Sequence, residues 1–305
     1  MRKYIISDIH GNGNLYYSIM SYLDNISIKE DLILYINGDL IDRGIESGEI
    51  LLDIIKRIKN NNPRFKIIYL GGNHEDMMYK YYKDKLRGRI NNFNLWYENG
   101  GYVTDYALED LLNDKEIQEV IDFIGNLDLY YKFNEKINHK NIILAHSSCP
   151  INPKDKCDMK IKDNQDEINY LLWSRKNDPY IPYHIIGNEK YFTIIGHTPN
   201  NNPFGFVYDK EENFLNIDGG SSMYVSGLFY YDHYPLIEIK DNYLKILTFN
   251  NNNEIIYGNY FKNNKIIPYM KEELDNERNY LDKNFHPKKL VELEDGIIGY
   301  QDWKK

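Results

Sequence analysis

Apolar residues along this chain gather in two kinds of run. Short runs rich in β-branched and aromatic residues ("KYIIS", "LILYIN", "FKIIYL", "NIILA", "YFTIIG" and "FLNID") are continuous rather than alternating, as in strands buried between helices. Between the first three, "GNLYYSIMSYLDNIS" and "SGEILLDIIKRIKN" repeat apolar residues at helical spacing and predict a βαβ start. From Asp76 to about Phe133 the pattern is mostly helical, clearest in "WYENGGYVTDYALEDLL" and "KEIQEVIDFIGNL", and predicts an insertion between the third and fourth strands. After Asp218, short runs broken by Asp-Asn and poly-Asn turns predict antiparallel hairpins. From about Asn251 the chain carries one predicted helix, "KEELDNERNYLDKNF". Its segments "EIIYGNYF" and "IIPYM" are too apolar for a free linker. The expected organisation is an α/β (α+β) domain over residues 1–250, with its helical insertion at about 76–133, and an extension over 251–305 packed on it. No internal repeat is found.

Composition narrows the function classes. A chain of 305 residues that is 42% hydrophobic can fill a sizeable core. A formal charge of −9 argues against a general binder of nucleic acid or anionic membrane, so any phosphate must meet a local positive site. No stretch approaches the roughly 20 apolar residues of a membrane span, and "MRKYIISDIHG" runs directly into a polar turn instead of a signal-peptide core, so a cytoplasmic location is expected. Cys149 and Cys157, the only cysteines, are too few for a disulfide framework and read as ordinary thiols. Asparagine runs and 29 tyrosines suggest no chemistry of their own.

The candidate chemistry lies just past the apolar runs. The first ends in "SDIHG" (Asp8, His10), the second in "NGDLIDRG" (Asp39, Asp42, Arg43), the third in "GGNHE" (Asn73, His74), and the next two in "AHSS" (His146) and "GHTP" (His197). Ligands of α/β folds bind at the carboxyl ends of strands, so these loops are expected to converge on one pocket. Three of the four histidines with Asp8, Asp39 and Asn73 form a mixed nitrogen and oxygen set suited to Mn²⁺, Fe or Zn²⁺ rather than Ca²⁺ or Mg²⁺. Six ligands exceed one ion's need. Two ions about 3.5–4 Å apart would use them all if one carboxylate bridged, and Asp39 is the natural bridge. Any one of these motifs alone reads as a turn aspartate and a surface histidine; five in the same position do not.

Together, "DIHG", "GDLIDRG", "GNHE", a later lone histidine and "GHTP" resemble the signature set of the calcineurin-like metallophosphoesterases, in particular the phosphoprotein phosphatase branch and its bacterial and phage lambda-type serine/threonine members. The likeness spans residues 4 to about 222 and extends to "LWYENGG" and "LLWSR". It implies a central β-sandwich flanked by helices with a dinuclear site at its upper edge. It further implies that Asp8, His10 and Asp39 hold one metal and Asp39, Asn73, His146 and His197 the other, with manganese as the first expectation and iron or zinc after it. Arg43 and Arg175 would grip the substrate phosphate, His74 would protonate the leaving group, and Asp42 would orient His74. Two departures bear on the groove: "GGNHE" has an additional glycine, and "AHSSCP" lacks the glycines that often follow this histidine. Histidines 139, 184, 233 and 286 lie outside the motifs and read as surface or structural, and "KYYKDKLRGR" (80–89) reads as a solvated helix face.

The implied activity is direct hydrolysis of phosphomonoesters by a hydroxide held between two metals. Phosphoserine and phosphothreonine are the expected substrates, with phosphotyrosine and aryl phosphates as further candidates. A symmetrical diadenosine tetraphosphate hydrolase shares every motif and stays open as an alternative, since fold and metal site do not set the substrate. A non-catalytic scaffold would have lost a ligand or the acid, and here all are present. Nucleic-acid end processing is disfavoured by the acidic balance. Oligomeric state is not indicated.

Overall fold

The structure, a computed structural model, describes residues 1–89, 94–163, 165–175, 190–221, 232–288, 290–292 and 298–300. The chain opens with the expected βαβαβ unit: β1 (Arg2–Ile6), α1 (Gly13–Ser27), β2 (Leu32–Asn37), α2 (Ser47–Asn60) and β3 (Phe65–Leu70). The three strands pair in parallel, Ile5 opposite Tyr35 and Tyr35 opposite Ile68. Four helices follow: α3 (Asn73–Leu86), α4 (Leu95–Glu98), α5 (Tyr102–Leu111) and α6 (Asp114–Gly125). The helical stretch ends there, and Tyr130–Ile137 is already a strand, β4. Next come β5 (Lys140–Ala145), α7 (Gln165–Trp173), β6 (Tyr191–Ile195), β7 (Val207–Asp209) and β8 (Phe214–Asn216). Then β9 (Tyr234–Lys240), β10 (Tyr243–Phe249), β11 (Ile255–Lys262) and β12 (Lys265–Pro268) run as an antiparallel meander. The last elements are α8 (Lys271–Arg278) and the small hairpin of β13 (Leu290–Glu292) and β14 (Ile298–Tyr300).

Apart from the β13–β14 pair, the described strands form two sheets, one of seven strands in the order β12-β11-β10-β9-β1-β2-β3 and one of five in the order β4-β5-β6-β8-β7. The period-2 alternation of a strand sends Tyr4, Ile6, Leu34 and Ile36 toward α1 and α2, and Ile5, Tyr35, Ile237 and Ile246 toward the second sheet. There they meet Phe133, Leu144, Phe192 and Ile194. Burial on both faces is why these strands read as unbroken apolar runs. The fold is thus the mixed α/β sandwich flanked by helices that the sequence predicts. No helix among the described residues is long and apolar enough to cross a membrane.

The asparagines have a structural use. Among the described residues, seven of them (61, 138, 213, 242, 253, 263 and 264) hold a positive φ at a turn or helix end, a conformation asparagine tolerates better than other side chains.

Arg2 on β1 grips Glu238 on β9 with two hydrogen bonds, Nε to Oε1 at 2.7 Å and Nη2 to Oε2 at 3.0 Å. Burial acts to raise the Glu238 carboxyl, but the Arg2 guanidinium and Lys240 outweigh it and hold the group below the ordinary carboxylate range. A depressed folded-state value gives stability that is present above the unfolded value and lost as pH falls through the folded one. Glu238→Gln should therefore cost about 1–3 kcal/mol at pH 7, with the gap to the parent closing on acidification below the usual glutamate range. Denaturant titrations at neutral and acid pH check this, and a gap that does not change with pH would mean that the fork contributes only packing.

The segment after Asn250 is woven into the body. β11 pairs with β10 along its length, and Ile255 and Phe261 are fully buried. Beyond it, Tyr22 on α1 donates to Glu277 at 2.6 Å, Asn25 donates to the Tyr280 carbonyl at 2.9 Å, and the Lys288 N–H donates to Asn14 at 2.9 Å. A chain ending at Asn250 is expected to lose at least about 4 kcal/mol, the cost of removing buried side chains of this size, while turnover per folded molecule changes little. Equal stability with altered substrate preference would instead make the extension part of the substrate groove.

Candidate active site

The parallel strands β1, β2 and β3 and the parallel strands β5, β6 and β8 deliver their carboxyl ends to one rim of the sandwich. Beyond the strand ends the loops zip together: the Asp8 N–H donates to the Gly38 carbonyl at 3.2 Å, His10 to Asp39 at 3.0 Å and Gly11 to Leu40 at 2.9 Å. Asp8, His10, Asp39, Asp42, Arg43 and His197 all hold positive φ, a strained conformation for such residues that concentrates at functional sites. Gly38 must be glycine, because at φ +80 a Cβ would lie 2.5 Å from the Gly72 Cα.

Asp39 sits at the centre. Its Oδ1 lies 3.3 Å from His146 Nε2, and its Oδ2 lies 3.6 Å from His10 Nε2 and 3.9 Å from His74 Nε2. Asn73 Oδ1 is 2.9 Å from His146 Nε2 and 2.8 Å from His197 Nδ1. Asp8 Oδ1 accepts the His197 N–H at 3.0 Å. Two buried groups with metal-ligand geometry emerge, His10/Asp39/His74 and Asp39/His146/His197, and Asp39 belongs to both. The outer nitrogens of two histidines are anchored on carbonyls, His10 Nδ1 on Ile41 at 3.0 Å and His146 Nδ1 on Asn37 at 2.9 Å, so each turns Nε2 inward.

The donor set fits metal. Asp8 Oδ2 is buried with no hydrogen-bond partner among the described residues, as a first-sphere atom would be. Burial, then the Asp218 charge, drives the Asp8 carboxyl up, while burial and then Arg43 drive the His10 imidazole down. At His146 burial acts downward, but the Asp39 carboxylate overrides it and pushes the imidazole up to about 10. Carboxylates this crowded call for cations.

Around this core lie the remaining expected residues. His74 Nδ1 is 2.6 Å from Asp42 Oδ2, and its Nε2 is 3.3 Å from Arg43 Nη2. Arg43 Nη1 is 3.2 Å from His10 Nε2. Arg43 and Arg175 both line the cleft over the cluster, with Asn99, Trp173, Pro199 and Asp218. Every residue expected at the site is therefore brought to it. His74 also falls in the first ligand group, with Asp42 holding its other nitrogen.

The two departures from the motif find local reasons. At Gly71 a Cβ would meet Ile161 at 2.5 Å, so the additional glycine packs under a loop away from the cleft. Ser147, in place of a glycine, donates its hydroxyl to the Tyr170 carbonyl at 3.1 Å and accepts from the Ser174 N–H at 3.0 Å, tying down the end of α7 beside Trp173 and Arg175. Of the outlying histidines, 139 and 286 are exposed, 233 rests on the Pro203 carbonyl, and 184 lies outside the described residues. Lys80 and Lys85 of the basic run pair with Asp76 and Glu109. Both cysteines are free, Cys149 buried and Cys157 half-buried.

Three site residues escaped the sequence reading. Glu75 Oε2 accepts the N–H groups of Asp39 at 2.9 Å and Gly72 at 2.8 Å, and its Oε1 accepts from Leu40 at 3.0 Å and the Tyr69 hydroxyl at 2.6 Å, locking the second and third loops together. It ends "GGNHE" and could have been noticed there. Asp218 follows the apolar run "FLNI" and obeys the same strand-end rule as the others. Trp96, which donates Nε1–H to Asp42 at 2.8 Å, lies in "LWYENGG", a segment that enters the likeness with no task attached to the indole.

Comparison with known proteins agrees with this geometry. No curated protein matches the chain. Among solved structures, a protein serine/threonine phosphatase from Saccharomyces cerevisiae superposes with a TM-score of 0.53 at 15% identity, over 82% of this chain and 80% of that one. A cold-active protein tyrosine phosphatase superposes with a TM-score of 0.50 at 14% identity, over 86% of this chain and 79% of that one. At such identities the likeness speaks for the fold alone. The family model for calcineurin-like phosphoesterases matches residues 1–227, which carry the whole constellation around Asp39. The chain belongs to the calcineurin-like phosphoesterases and is a hydrolase acting on phosphoric esters.

Proposed function

We propose that this chain is a phosphomonoesterase of the serine/threonine protein phosphatase type, acting also on phosphotyrosine and aryl phosphates. The observation that carries this reading is Asp39, shared by two buried ligand groups beside Arg43 and the Asp42–His74 pair. Asp8, His10 and Asp39 would hold one divalent ion, and Asp39, Asn73, His146 and His197 a second, with manganese the best match to a nitrogen and oxygen set lacking thiolate. When bound, the ions supply charge neutralisation and an activated water.

The chain's own groups do the rest. Arg43 presents a planar guanidinium that can take two phosphate oxygens at once, and Arg175 lines the same cleft as a second positive group. Both favour the trigonal phosphoryl with its negative charge spread over the equatorial oxygens. Water adds to phosphorus in line, the bond to the leaving oxygen breaks, and His74 Nε2 passes that oxygen a proton. Asp42 holds Nδ1 so that Nε2 faces the leaving group. Any phosphorylated protein or small phosphate ester able to reach the cleft is a substrate in kind.

Initial rates on a phosphoserine peptide, nitrophenyl phosphate and diadenosine tetraphosphate, each with manganese, test the reading. Faster turnover of the two monoesters is expected. Faster cleavage of the tetraphosphate would favour an anhydride hydrolase on the same site, and no turnover of any would leave a binding scaffold.

A further inference from the structure

We propose that Trp96 and Thr104 are positioning residues for the reaction, fixing the His74 acid by immobilising Asp42; this rests on the reading of His74 as the proton donor. The Asp42 side chain is fully buried. Its Oδ2 is shared by His74 Nδ1 at 2.6 Å and the Trp96 Nε1–H at 2.8 Å, and its Oδ1 accepts the Thr104 hydroxyl at 2.6 Å. The Asp42 N–H in turn donates to Thr104 Oγ1 at 3.1 Å, so one hydroxyl fixes both the main chain and the side chain of the aspartate.

The clamp extends to Arg43. Asp42 and Arg43 are consecutive residues at φ 73 and φ 70, a conformation that needs support from its surroundings. The Gly100 carbonyl accepts the Arg43 N–H at 3.2 Å, and at Gly100 a Cβ would lie 2.9 Å from Arg43 Cγ. Thus the short α4 and the start of α5, far along the chain from the strand-end loops, hold the Asp42–His74 pair and Arg43 in one frame.

Trp96 is itself fixed. Its ring is 1% exposed and packs against Tyr81 and Tyr82 at centroid distances of 5.1 and 5.9 Å. Gly101 leaves room for it, since a Cβ there would come within 2.4 Å of the indole. The hydroxyls of Tyr81, Tyr82 and Tyr97 all converge on buried Asp105, the neighbour of Thr104. An imidazole swings about its χ2 unless Nδ1 is held, and Asp42 can hold it only if its own carboxylate is held, because that torsion is broad.

A merely structural role would satisfy a buried carboxylate equally well, so the test reads the leaving group. Full-length, manganese-loaded protein is compared as parent, Trp96→Phe, Thr104→Val, Thr104→Ser and His74→Asn on a phosphoserine peptide and on nitrophenyl phosphate. Trp96→Phe and Thr104→Val each remove one donor to Asp42 and should lower kcat on the peptide by about 10–100-fold, as loss of an orienting partner does. KM should stay nearly constant, the nitrophenyl phosphate rate should fall far less, and Thr104→Ser should restore the peptide rate. Partial unfolding scales both substrates together and leaves their ratio at the parent value. Equal losses on both substrates in the Trp96 and Thr104 variants, with a leaving-group-dependent loss in His74→Asn, overturn the positioning role while the acid reading stands. An equal loss on both in His74→Asn overturns the acid reading and the positioning role with it.

Discussion

His74→Asn is expected to lower turnover of a phosphoserine peptide by about 10²–10⁴, the usual share of a positioned general acid. His74 is 1% exposed, with Nδ1 on Asp42 and Nε2 beside the Arg43 guanidinium at the cleft. Asparagine keeps a polar group of similar reach but has no proton to give. Both metals should stay bound and KM should move little. The serine alkoxide needs that proton, whereas nitrophenolate leaves almost unaided, so the loss on nitrophenyl phosphate should be much smaller. The rival role is visible in the geometry: Nε2 lies 3.9 Å from Asp39 Oδ2, close enough for His74 to share in the first ligand group. Elemental analysis separates the two roles. A lost metal, or equal losses on the two substrates, would make His74 a ligand or an electrostatic clamp.

Why the strand-end residues could be read from sequence and their supports could not follows from packing. Strands β1, β2, β5 and β6 are covered on both faces, so each is a run of apolar residues with a sharp polar end, and the chemistry sits at that end. β4 is an edge strand of the second sheet, with Tyr130, Phe133 and Ile137 buried and exposed or half-buried residues between them. It therefore shows no unbroken run, and its first residues blend into the helical pattern before them. Trp96 and Thr104 sit in that insertion, where an indole and a hydroxyl look like ordinary core and helix residues. Their relation to Asp42 spans 54 and 62 positions and exists only once α4 and α5 are folded against the second loop. Glu75 differs in kind, because its motif was legible but its task, four hydrogen bonds joining two loops, was not.

Asp39→Asn should abolish tight binding of both metals and lower turnover by about 10³ or more, since several kcal/mol of charge stabilisation depend on them. Asp8→Asn should weaken mainly one. The asymmetry rests on position: Asp39 belongs to both ligand groups, whereas Asp8 offers a single unpartnered oxygen. Stability supplies a second readout, independent of activity. Burial first, and then neighbouring carboxylates including Asp39, pushes the Asp8, Glu75 and Asp218 carboxyls up. Removing the Asp39 charge relieves that repulsion, but it also takes away the carboxylate that pushes the buried His146 imidazole up, and that carboxylate is itself held below its ordinary range, against burial, by His146 and His74, so the net effect at neutral pH is a loss. Chelator-treated Asp39→Asn should accordingly melt below the chelator-treated parent at neutral pH. With manganese the gap widens, because a ligand that binds only the native state at 100 times its Kd adds about 2.7 kcal/mol, and only the parent and, in part, Asp8→Asn can gain it. Thermal midpoints with and without manganese, taken with metal counts after gel filtration, test the bridge. Equal metal loss in the Asp8 and Asp39 variants would remove Asp39 from the bridging position, and a gap between parent and Asp39→Asn that manganese does not widen would show that the carboxylate is held for structure rather than for ions.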